Sequence, residues 1–63
     1  MKFHCVLINQ VDHSRKEKVF TKEELEAITG SYVTDRAKKL GETNTTIINN
    51  GATYKMLIRY LKN

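Results

Sequence analysis

The sequence predicts a small single α+β domain over residues 1–63, with element order ββααββ. Three observations lead there. An apolar, β-branched run opens the chain, two helical patterns bounded by glycines fill the middle, and Asn50-Gly51 separates two extended runs near the end. Asn-Gly is the commonest two-residue hairpin turn, because both residues must take positive φ.

Lys2 to Asn9 (KFHCVLIN) is too short for a helix and rich in strand formers. Phe3, Cys5 and Leu7 share one face; His4, Val6 and Ile8 share the other. Both faces are partly apolar, so this strand is expected to be covered on each side or paired centrally. Gln10 to Glu17 is polar and turn-rich, and Lys18 to Phe20 reads as a short extended piece closing a long hairpin.

The first helix is expected over about 22–29. Thr21 and Glu24 have the spacing of a capping box, and Phe20 and Leu25 that of a hydrophobic staple. Glu23 and Glu24 suit the positive end of the helix dipole. Leu25 and Ile28 form the expected buried stripe, Glu23 and Glu26 point outward, and Gly30 supplies a left-handed stop. A second helix follows over about 32–40. Ser31 is its cap, Val33, Ala37 and Leu40 its buried stripe, and Gly41 its end. The pair forms a helix-turn-helix-like unit followed by a hairpin. In the tail, Tyr54, Met56, Ile58 and Tyr60 alternate as in a strand, whereas Tyr54, Leu57, Ile58 and Leu61 fit a helical stripe. A strand is expected through about Met56 or Ile58, while residues 57–62 as a whole are compatible with either.

A chain of 63 residues buries only roughly 60% of its unfolded surface, so its core is marginal. One cysteine excludes an internal disulfide. His4 and His13 lack a third ligand at zinc spacing, so no metal or cofactor is expected. Cys5 reads as a small buried hydrophobe, and a core this small leaves little room for a catalytic pocket. The expectation is therefore a non-enzymatic protein. The opening run is a poor signal peptide and far short of a membrane span, and a free cysteine fits the cytoplasm.

The formal charge is +4 and the pI about 9.4. Residues 21–30 are acidic, while residues 31–41 and 42–63 are basic. On a helical wheel Thr34, Asp35, Lys38 and Lys39 lie opposite Val33, Ala37 and Leu40, with Tyr32 and Arg36 on the flanks. That outward face combines charge, hydroxyl and aromatic groups, the chemistry used on phosphates and base edges.

The succession "VFTKEELEAITG", "SYVTDRAKKLG" and "TTIINNGATYKM" resembles a winged-helix domain, and more narrowly the small excisionase-type regulators of phages and mobile elements. The resemblance covers roughly Lys18 to Tyr60. It implies a duplex-DNA-binding accessory or transcription-regulating factor that reads the major groove with its second helix. Thr34, Arg36, Lys38 and Lys39 would then face DNA beside Tyr32, with Asn49, Asn50 and Lys55 as wing contacts. Dimeric or cooperative binding would supply the affinity a single small domain lacks. A different class also fits: a protein-interaction module or inhibitor docking on a larger protein through a strand edge or apolar patch. The two differ in one respect. DNA binding needs Arg36, Lys38, Lys39 and Lys55 on one continuous surface, whereas protein docking needs an apolar one.

Overall fold

A computed structural model describes residues 1–62. The elements are β1 (Lys2–Asn9), β2 (Arg15–Thr21), α1 (Lys22–Thr29), α2 (Ser31–Leu40), β3 (Glu42–Asn49) and β4 (Ala52–Leu61). The strands form one antiparallel sheet in the order β2-β1-β4-β3. Both helices pack on the same face, enclosing a core of Phe3, Cys5, Phe20, Leu25, Ala37, Met56 and Ile58. The expected α+β domain of order ββααββ is therefore the observed one.

β1 is central, flanked by β2 and β4 over its whole length. Its odd-numbered residues feed the core, and the Phe3 ring lies 5.3 Å from that of Tyr60 on β4. β2 begins at Arg15, three residues before the extended piece the composition marks, because pairing with β1 holds even the charged Arg15–Lys18 run extended. Its turn is built by side chains. Asn9 Oδ1 accepts from the Val11 and Asp12 amides, and Asp12 Oδ1 from the Ser14 amide. The bonds from Ser14 hold the Asp12 carboxyl below its ordinary range. The second turn has Asn50 at φ 51° and Gly51 at φ 78°, as an Asn-Gly hairpin requires. The tail is strand through Leu61, which excludes the helical alternative for 57–61.

The start of α1 matches its sequence signals. Thr21 Oγ1 accepts from the Glu24 amide at 3.2 Å, and the Thr21 amide donates to Glu24 Oε1 at 2.9 Å. That second bond draws the Glu24 carboxyl below its ordinary range. Phe20 and Leu25 are both buried, as the staple spacing predicts.

Both buried stripes are rotated from the expected ones. In α1 the inward positions are Lys22, Leu25, Glu26 and Thr29, which leaves Ile28 exposed. In α2 they are Val33, Thr34 and Ala37, and Leu40 is 60% exposed. The cause lies in the link. One residue, Gly30, is both the C-cap of α1 and the N-cap of α2. So short a connection fixes the rotation of α2 about its axis and turns small side chains toward α1. Ser31 consequently falls inside the helix, and α2 has no side-chain cap.

Gly30 has φ 87° and ψ 165°, a region with positive φ but outside the left-handed helical well. It is essentially closed to residues with a Cβ, although the space around this glycine is open. Gly30→Ala is expected to cost about 1–3 kcal/mol, read as a lowered midpoint in thermal or urea denaturation.

Burial pushes the Cys5 thiol up to about 11 from an ordinary 9.0. The folded state thus holds this proton more tightly than the unfolded chain. The resulting stability is complete below pH 9.0 and is lost as pH rises towards about 11. Urea titrations across that interval should show an alkaline decline on the order of 2 kcal/mol, reduced in Cys5→Ala.

Candidate interaction surfaces

Strand alternation divides the surface residues into two sets. The face away from the helices carries, row by row across β2, β1, β4 and β3, Arg15, Ile8, Lys55 and Thr46. Glu17, Val6, Leu57 and Asn44 make the next row, and Val19, His4, Arg59 and Glu42 the one after. No element of the chain among the described residues covers this face. Its centre is apolar, built from Val6, Ile8 and Leu57 on the two middle strands, all only half-buried. Charged and polar groups surround that centre, and His4 Nε2 lies 2.9 Å from Glu17 Oε1.

The helical side is different in character. α2 exposes Tyr32, Asp35, Arg36, Lys38, Lys39 and Leu40. Arg36 donates to the Tyr32 hydroxyl at 3.4 Å, one helical turn away. Arg36 and Leu40 also reach the first residues of β3. There they border an open concavity of about 560 Å³ whose remaining lining, chiefly His4, Val6, Glu42, Asn44, Leu57 and Arg59, belongs to the uncovered face, so this margin of α2 adjoins that face.

The DNA-contact candidates separate accordingly. Tyr32, Arg36, Lys38 and Lys39 share the exposed part of α2, as expected. Asn49 and Asn50 are exposed at the end of the β3–β4 hairpin. Lys55 projects from the opposite face of the sheet, beside Ile8 and Thr46, so it is not continuous with the lysines of α2. Thr34 requires a correction. It is fully buried, its hydroxyl donating to the Ser31 carbonyl at 2.8 Å and lying 3.2 Å from Glu26 Oε2. It is a joint between the helices and cannot touch DNA. Glu26, expected to point outward, is turned in by this contact and by Lys22 Nζ at 3.7 Å.

The uncovered face could have been anticipated from the apolar residues on both sides of Lys2–Asn9. The missing signal was coverage: alternation shows that a strand has two apolar faces, not that helices occupy only one.

Charge is shared between the two sides. Lys2, Arg15, Lys55 and Arg59 on the uncovered face stand against Glu17 and Glu42, a net +2. On the helical side Lys16, Lys18, Lys22, Arg36, Lys38 and Lys39 stand against Glu23, Glu24, Glu26 and Asp35, also +2. Among the described residues no group of three or more His, Cys, Asp or Glu is placed to hold a metal ion. No described helix is long and apolar enough to cross a membrane. No family model, curated protein or solved structure matches this chain.

Thr34→Val retains the shape of the helix joint and removes its hydroxyl. It is expected to destabilise the fold by about 1 kcal/mol, whereas Lys38→Ala/Lys39→Ala should leave the urea midpoint nearly unchanged.

Proposed function

We propose that this chain is a non-enzymatic protein-interaction module that docks on a larger protein through the uncovered face of its sheet. The supporting observation is the apolar centre of Val6, Ile8 and Leu57 inside a rim of both charge signs. A hydrophobic centre with a polar rim is the anatomy of a protein interface. A polyanion would be met less well there, because Glu17 and Glu42 stand among the basic groups.

A second reading rests on a different observation: Tyr32, Arg36, Lys38 and Lys39 are exposed along one helix. This is the DNA-binding reading carried by the winged-helix resemblance, now confined to α2 and without Thr34. Phosphate contacts by these groups would make binding strongly dependent on salt.

One set of variants separates the two. Leu57→Lys places a charge at the centre of the uncovered face, and Lys38→Ala/Lys39→Ala removes charge from α2. Capture from the source cells should yield a protein partner retained by wild type and by the α2 variant, and lost with Leu57→Lys. Circular dichroism must show both variants folded. Titration with duplex DNA at about 50 and about 200 mM salt supplies the other arm. Salt-dependent binding abolished only in the α2 variant would replace the docking reading with the DNA one.

A further inference from the structure

We propose that β3 pairs edge to edge with β3 of a second copy of this chain, forming a two-fold dimer with one continuous antiparallel sheet. The inference concerns the edge of the sheet and does not depend on what the uncovered face binds.

The hydrogen-bond pattern identifies which groups are free. In a hairpin with a two-residue turn the flanking pair, here Asn49 and Ala52, is hydrogen-bonded. The alternation then directs the odd residues of β3 toward β4. The Tyr60 amide donating to the Gly41 carbonyl at 2.9 Å keeps this phase at the other end of the ladder. The amides and carbonyls of Glu42, Asn44, Thr46 and Ile48 therefore point away from the sheet. They form a row along an eight-residue strand.

The two edges of the sheet differ in how they are guarded. β2 carries Arg15, Lys16, Glu17 and Lys18 in succession, the kind of charge run that discourages strand addition. β3 reads ETNTTIIN, with one charge at its first residue and no proline. That is an edge chemically open to pairing.

Self-pairing suits this sequence better than pairing with a charged peptide. A two-fold axis perpendicular to the sheet makes the new pair antiparallel. Centring it at Thr46 sets Thr46 against its own copy and Thr45 against Ile47, so β-branched side chains meet in a favourable cross-strand combination. The two copies of Glu42 lie at opposite ends, so like charges do not meet. The same axis brings a second copy against the margin where Leu40 is 60% and Ile48 77% exposed. A domain whose own core is marginal gains burial from both.

The test is sedimentation equilibrium over a wide concentration range, combined with amide hydrogen exchange. Wild type should associate to twice the 7.3 kDa monomer. The Asn44, Thr46 and Ile48 amides should exchange more slowly as concentration rises, while the outward Arg15, Glu17 and Val19 amides of β2 stay unchanged. Thr46→Pro removes an outward amide without breaking a β3–β4 bond and should weaken the dimer about tenfold or more. Asn44→Lys adds a guarding charge and should act in the same direction. Leu57→Lys should leave the dimer intact, so failure of the docking reading does not bear on this one. A protein that stays monomeric at millimolar concentration overturns the proposal. So does a dimer whose β3 amides remain unprotected, or one that Leu57→Lys dissociates.

Discussion

The first strand lies antiparallel to the last, from Lys2 against Leu61 to Asn9 against Tyr54, at the middle of the sheet. This pairing sets Phe3 beside Tyr60, Cys5 beside Ile58 and Leu7 beside Met56, and these residues make the floor on which both helices rest. Each half of the chain makes its own hairpin, yet neither hairpin holds a core alone. Phe3, Cys5 and Phe20 come from one, Met56 and Ile58 from the other. Such a junction joins residues far apart in sequence, so its closure entropy must be met before the core rewards it. Helix placement then follows from the floor. Leu25 and Ala37 descend onto it, and the Gly30 link holds the two helices in one rigid relation.

Local chemistry made much of this legible. Thr21 and Glu24 declare a helix start through bonds within four residues, and Asn50-Gly51 declares a turn through the φ it tolerates. Both signals act over distances shorter than the fold. Cys5 was likewise legible as a core residue, because apolar neighbours on one strand face imply burial wherever the sheet lies. The rotation of α2 was not. A wheel places Val33, Ala37 and Leu40 together, but the observed stripe includes Thr34 and excludes Leu40. Hydrophobicity ranks leucine above threonine, whereas the close approach of α1 favours a small side chain able to bond the Ser31 carbonyl and Glu26. The winning term was the geometry of a one-residue connection, which no count of apolar residues contains. Thr34 moved from candidate DNA contact to helix joint for that reason.

The same alternation that fills the core accounts for what is left outside it. Every residue sent inward from β1 and β4 is matched by one sent the other way, and there Val6, Ile8 and Leu57 stay half-buried, with only the Arg36–Leu40 margin of α2 beside them. Antiparallel sheets tolerate a solvated face when it is polar. Here Val6, Ile8 and Leu57 lie among His4, Lys55 and Arg59 on the two middle strands, so the second face combines an apolar centre with a charged rim.

Net charge would point elsewhere if the fold gathered it, since a basic chain of this size could form a single field for a polyanion. Instead the excess of +4 is divided equally between two opposed faces, each containing acidic groups. Opposite signs within a face partly cancel its field, and salt screens what remains beyond a Debye length, roughly 8 Å at physiological ionic strength. Contact area then matters more than long-range attraction. On the docking and pairing proposed above, recognition rests less on the basic composition, the most visible property of the sequence, than on three half-buried aliphatic side chains and an edge strand with a single charge.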